Sequence, residues 1–241
     1  MRKPLLAGAA VALVANPAFA GPPAPVVAPV SSFSWTGCYV GGHVGGGWGE
    51  SVLTNFSEPP LGPASPAADI SGWLAGGQFG CNYQFAGNWV AGVEVADSWA
   101  NIRGVSDPFF GGKSVFSAQK DWIASGAARV GYAWDRWLIY AKGGVAWVGD
   151  KFNVSGTYAG LPYYVESSQT RSGWTIGGGV EWAFWQNWSA NLEYAYYDFG
   201  SRSDVLSGAY VGGQLAGERI SVPATIRQNL QTITLGINYH F

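Results

Sequence analysis

The sequence predicts an all-β fold: an eight-stranded antiparallel up-and-down transmembrane β-barrel with short periplasmic turns and four long extracellular loops. Three observations lead there. Short turns are bracketed by large aromatics (Phe85 and Trp89, Trp134 and Trp137, Trp185 and Trp188), and a second Trp stands about ten residues from each turn, at Trp99, Trp122, Trp147 and Trp174. Ten residues of tilted strand climb roughly 25 Å, the height of the apolar band between the aromatic girdles of an outer-membrane barrel. The stretches between these aromatics alternate in polarity. The composition, finally, is rich in strand and turn formers, with 36 Gly, 13 Trp, 12 Tyr and 12 Phe against one Met.

The elements follow in order. Arg2 and Lys3, an apolar run from Leu5 to Val14, and Ala18-Phe19-Ala20 make the layout of a cleaved secretory signal peptide over residues 1–20. The run is too short to cross a bilayer as a helix, which takes about 20 residues. Pro22, Pro23, Pro25 and Pro29 mark residues 21–34 as a disordered periplasmic lead-in. The barrel occupies 35–241, with strands near 36–48, 72–85, 89–100, 121–134, 137–150, 173–185, 188–199 and 229–241. Short connections alternate with long ones at 49–71, 101–120, 151–172 and 200–228; within the last, 209–211 and 219–222 could extend the hairpin above the membrane. An even strand count returns both chain ends to the periplasm, and closure removes the unpaired edges that lipid penalises.

Alternation sorts the faces. In the last strand Ile233, Leu235, Ile237, Tyr239 and Phe241 face lipid, and Thr232, Thr234, Asn238 and His240 face the lumen. The same parity puts His43, Glu94, Arg129, Lys142, Glu181 and Glu193 inside, and leaves Asp97 outside near the outer rim, where charge costs little. It places Cys38 and Cys81 outward near the periplasmic rim of neighbouring strands, and export into an oxidising compartment favours their pairing as a disulfide staple.

Trp35-Thr36-Gly37-Cys38-Tyr39-Val40-Gly41-Gly42, the Trp-flanked turns and the terminal Leu235-Gly236-Ile237-Asn238-Tyr239-His240-Phe241 resemble the small outer-membrane immunogenic barrel proteins, within the wider porin-like and OmpA-like eight-stranded group. The resemblance implies residence in the cell outer membrane among lipids and lipopolysaccharide. It also implies insertion by the barrel-assembly machinery, which reads the C-terminal aromatics Tyr239 and Phe241. It carries no catalytic motif. Members of the group are described as structural envelope proteins, weak porins and surface antigens, some with proposed haem binding.

Charges inside a narrow barrel must be paired, because the wall offers little solvation. Glu94 and Arg129 lie at similar heights on adjacent strands and are the first candidate pair; Lys142 and Glu181 are the second. One reading is a polar plug that fills the lumen and fixes register. The alternative is a narrow porin for ions or small solutes gated by Glu94–Arg129. Eight strands enclose just enough room for side chains, which favours the plug. The glycine clusters Gly45–Gly47 and Gly177–Gly179 lack the spacing of a phosphate-binding loop and instead relieve crowding or bend the wall.

Two histidines without matching Cys, Asp or Glu spacing argue against a metal site, and His43 has no evident nucleophile beside it, so no enzyme and no cofactor are expected. His43 as a haem ligand, or ligand binding at the extracellular loops, is the weaker alternative to a hydrogen-bonded luminal histidine. The loops carry mixed polarity, with Glu50, Glu166, Arg171, Asp204 and Glu218 among them, and are where host or phage surface partners would bind. A formal net charge of −2 with no basic patch excludes nucleic acid. A soluble lipocalin-type barrel would need an apolar interior and a polar exterior, the reverse of the faces assigned here. The expected function is that of a structural and surface protein, with a plugged barrel contributing to envelope integrity and displaying antigenic loops.

Overall fold

The structure, a computed structural model, describes residues 33–54, 56–58, 62–109, 112–158 and 160–241; side chains of 56–58, 62–64 and 158 are outside that description. The predicted signal peptide and most of the lead-in fall outside the described residues. Eight strands form one closed ring: β1 Gly37–Thr54, β2 Ala67–Phe85, β3 Trp89–Val105, β4 Ser114–Trp134, β5 Trp137–Tyr158, β6 Leu161–Ala183, β7 Trp188–Tyr210 and β8 Arg219–His240. Neighbours in sequence pair antiparallel, and β8 returns to β1 with Tyr39 opposite His240. Periplasmic turns are tight, helped by Ala86 and Asp135, both with positive φ. Two three-residue strands, Phe56–Glu58 and Gly62–Ala64, pair with each other at the tip of the first extracellular connection.

The strands run well beyond the predicted ends. The connection expected over 200–228 is mostly paired β7 and β8, and the link between β5 and β6 shrinks to residues 159–160. The long extracellular connections are therefore hairpins that continue the barrel upward. The reason is visible in β8, where polarity changes phase at Gln231. Below it Ile233, Leu235, Ile237 and Tyr239 point out and Thr232, Asn238 and His240 point in; above it Ser221, Pro223, Thr225 and Arg227 point out and Val222, Ala224, Ile226 and Leu230 are buried inside. The upper barrel thus has the water-facing pattern of a soluble protein, with a core that includes Leu53, Ile102, Phe116, Phe152, Val165 and Leu206.

Two aromatic rings bound the lipid-facing band. The lower contains Phe85, Trp89, Trp134, Trp137, Trp182, Trp188 and Tyr239; the upper contains Trp99, Trp147 and Trp174, joined by Trp48 and Trp73. Trp122 of the upper ring is half-buried. Between the rings, Val44, Phe79, Val95, Ile139, Ile176 and Leu235 are among the exposed apolar side chains.

Cys38 and Cys81 stand opposite each other in the β1–β2 register and are joined by a disulfide across a sequence separation of 43. The wall has one discontinuity of note. The β6–β7 register breaks between Glu166 and Trp174, so Ser167–Gly173 do not pair with β7, while β6 remains continuous with β5.

Candidate functional site: the luminal ion network

The lumen is filled in layers, beginning at the periplasmic mouth. Trp35 is fully buried there with Val90, Ala133, Leu138 and Ala183, and Phe33 packs edge-on against Trp35 at 4.8 Å and His240 at 5.3 Å. The end of the predicted lead-in therefore packs against the barrel mouth.

Above this cap lies the first ion cluster. Arg129 and Lys142 stand side by side on β4 and β5. Like charges directly across a ladder repel; here three carboxylates surround them. Arg129 donates to Glu181 at 2.8 Å and to the Tyr39 hydroxyl at 2.6 Å, with Glu94 at 3.5 Å. Lys142 contacts Glu94 at 2.8 Å and Glu193 at 2.7 Å. Tyr39 donates to Glu94 at 2.6 Å, and Tyr140 donates to Glu193 at 2.9 Å while its ring lies 3.9 Å from the Arg129 guanidinium carbon. Backbone sequence makes room for the phenols: a Cβ on Gly80 would meet the Tyr39 hydroxyl at 2.4 Å, and one on Gly179 would meet that of Tyr140 at 2.9 Å. Both glycines are seats for a neighbouring ring.

The expected Glu94–Arg129 pair is thus present within a larger cluster. The expected Lys142–Glu181 pair is not formed. Glu181 instead binds Arg129, Ser189 at 2.6 Å and Asn238 at 2.7 Å, while Lys142 reaches past β6 to Glu193. Neighbouring positions on one face were the wrong guide, because long side chains in a narrow tube reach across it. His43 bonds Gln78 and, at 2.7 Å, Ser98. These residues border a cavity of about 30 Å³, room for about a water molecule.

His240 sits 2.8 Å from Ser189, a nucleophile–base pairing that the sequence pattern had not suggested. Its polarity is wrong for acyl transfer. Ser189 spends its proton on Glu181, so the imidazole Nε2 must donate to the hydroxyl and cannot take its proton. Glu181 also approaches that same Nε2, at 3.4 Å, and not the far ring nitrogen.

A second ion layer lies just above the upper aromatic ring. Lys120 donates to Asp150 at 2.9 Å and Gln228 at 2.5 Å; Arg171 pairs with Asp204 and donates to the Ile226 carbonyl at 3.0 Å. Arg171 and Asp204, expected on surface loops, are buried in the lumen. Arg171, Asp150 and Gln228 follow simply by extending strand parity. Lys120 and Asp204 do not, because β4 bulges between Lys120 and Trp122 and β7 changes phase around Gly200.

A closed ring of antiparallel strands, two aromatic girdles bounding an outward apolar wall, and an ion-filled lumen define an outer-membrane β-barrel protein. The model of the outer membrane protein beta-barrel domain matches residues 6–241, and the chain belongs to that family. It is 30% identical over 239 residues to the 31 kDa outer-membrane immunogenic protein of Brucella melitensis, covering 95% of this chain and 93% of that protein. It is 29% identical over 240 residues to the 25 kDa outer-membrane immunogenic protein of Brucella abortus, covering 98% and 94%. Among solved structures, OprG from Pseudomonas aeruginosa matches with a TM-score of 0.51 at 14% identity, covering 86% of this chain and 97% of that one. The outer membrane protease OmpT from Escherichia coli matches with a TM-score of 0.54 at 10% identity, covering 87% and 98%. At these identities the two structures support the fold alone. The protein is an outer-membrane protein embedded among its lipids.

Proposed function

We propose that this is a non-conducting, non-catalytic structural barrel whose plugged lumen holds a rigid wall and whose extracellular hairpins form an antigenic surface. One observation carries the reading: two ion layers and two apolar layers occupy the lumen in succession, and the cavity between them is about 30 Å³. The outer-membrane immunogenic proteins of Brucella support the antigenic part of this reading. Tyr239 and Phe241 serve as the signal read by the assembly machinery, lipopolysaccharide is the surrounding lipid, and host or phage contacts fall on the hairpin tips. Residues 1–20 direct export.

The test is conductance of the refolded mature chain in planar bilayers, with insertion verified separately, alongside Glu94→Ala. Silence from both supports the plug. Discrete openings that change in the variant would make the protein a narrow porin filtered by its ion cluster.

A further inference from the structure

Above the upper ring the outward wall is unevenly charged. On one side Arg103, Gln119, Lys151 and Ser168 stand in a single register row across β3, β4, β5 and β6. Neighbouring strands lie roughly 4.8 Å apart, which sets the two cations about 10 Å apart with an amide between them. Lys151 is fixed by Asp121 at 2.7 Å, and Asp121 also accepts from Gln119 at 2.5 Å. Arg103 is exposed and makes no hydrogen bond or ion pair among the described residues. The row borders an outward groove of about 700 Å³ whose far wall carries Tyr164, with its hydroxyl 3.1 Å from Glu166.

On the other side, a row above Trp48 and Trp73 reads Asp69, Glu50, Asn229 and Asp198 across β2, β1, β8 and β7. The two rows differ in sign: three carboxylates here, with Arg227 beside Glu50 and Asn229, against two cations there, with Asp121 and Glu166 beside them.

We propose that the outer groove of β3–β6 binds the phosphorylated sugar headgroup of an outer-leaflet glycolipid, with Arg103 and Lys151 on phosphate and Tyr164, Glu166 and Gln119 toward sugar. The assignment rests on the reading that this face looks into the outer leaflet. Height selects the lipid. The cations stand one short step above Trp99 and Trp147, where a glycolipid anchored in the leaflet presents its phosphates. Arg suits phosphate by its planar fork and Lys as a point charge.

The experiment titrates the mature protein, refolded in phosphatidylcholine nanodiscs, with a bisphosphorylated lipid A and reads bound glycolipid by native mass spectrometry. Arg103→Gln/Lys151→Gln should weaken binding roughly thirtyfold, the effect of losing two surface cations. The same loss is expected for wild type with dephosphorylated lipid A. Glu50→Gln/Asp69→Asn on the opposite side should weaken nothing. Undiminished binding by the Arg103/Lys151 variant, with an unchanged circular dichroism spectrum, overturns the proposal, as does an equal loss in the Glu50/Asp69 variant. Displacement of the glycolipid by equimolar inorganic phosphate would assign the groove to free phosphate and overturn the lipid assignment. The conductance test is independent: a leaky barrel that retains selective glycolipid binding would sink the plug and leave this site standing.

Discussion

Replacing Arg129 with Met removes the cation at the centre of the lower cluster while keeping a long side chain against Tyr140. Breaking one partner of a buried ion pair typically costs about 3–5 kcal/mol, because a charge is left without compensation. The structure puts this case at the lower end. Glu181 keeps donors from Ser189 at 2.6 Å and Asn238 at 2.7 Å, and Glu94 keeps Lys142 at 2.8 Å and Tyr39 at 2.6 Å. A cost of about 3 kcal/mol follows. At a urea slope of about 2 kcal/mol/M, that lowers the unfolding midpoint of vesicle-inserted protein by about 1.5 M. Adding Glu181→Gln should recover about 2 kcal/mol of the summed single costs, since the second change removes the orphaned charge. A loss below about 1 kcal/mol, or single costs that add to within about 0.5 kcal/mol, would show that the cluster is hydrated and does not act as a buried network.

Adjacent glycines should behave oppositely. A Cβ on Gly76 would meet the Asp97 carbonyl oxygen at 2.0 Å, whereas one on outward Gly77 finds its nearest neighbour at 3.5 Å, so Gly76→Ala should destabilise by about 1–3 kcal/mol and Gly77→Ala should be neutral or slightly stabilising in the same unfolding assay. The Cys38–Cys81 bond closes a loop with a sequence separation of 43, for which chain entropy gives a ceiling of about 4 kcal/mol. The urea midpoint should therefore drop on reduction and stay unmoved by reductant in Cys38→Ser/Cys81→Ser. The unpaired seam from Ser167 to Gly173 should exchange its amide hydrogens faster than Trp174–Ala183 of the same strand, and Arg171→Met, by releasing Asp204, should quicken exchange there further; uniform protection along β6 would contradict this.

What could be read in advance depended on whether side chains obey strand parity. Trp99, Trp147 and Trp174 fixed the bilayer height, and Glu94, Arg129, Lys142, Glu181 and Glu193 fell inside because between the rings each strand alternates without interruption. The pairings within the lumen were less legible: register places Lys142 beside Arg129, but its ammonium reaches past β6 to Glu193. Tyr39 and Tyr140 went unnoticed because an inward phenol looks like any strand aromatic until the glycine that seats it is known. The upper ion layer was missed for a different reason. Lys120 and Asp204 lie beyond bulges that shift the phase, and their surroundings, polar outward and apolar inward, read as loop when judged against a lipid-facing template.

That change of phase has a physical basis that also explains why the two halves of the lumen differ. Between the rings the outer wall lies in hydrocarbon. An apolar side chain turned inward there gains nothing over one turned toward lipid, so apolar burial gives little preference for one closed arrangement. Ion pairs and hydrogen bonds do give one, since an unpaired Glu181 or Arg129 in a low-dielectric wall is costly in any other register. Above the upper ring the same strands have water outside. There, burying Leu53, Phe152, Val165 and Ile226 contributes the usual hydrophobic stabilisation, and Ser221, Thr225 and Arg227 can face solvent without cost. The Lys120–Asp150–Arg171–Asp204 layer marks the crossover, where the wall passes from one solvent to the other. The luminal ion network is thus what favours one register within the membrane, and the hydrophobic core does the same for the hairpins above it.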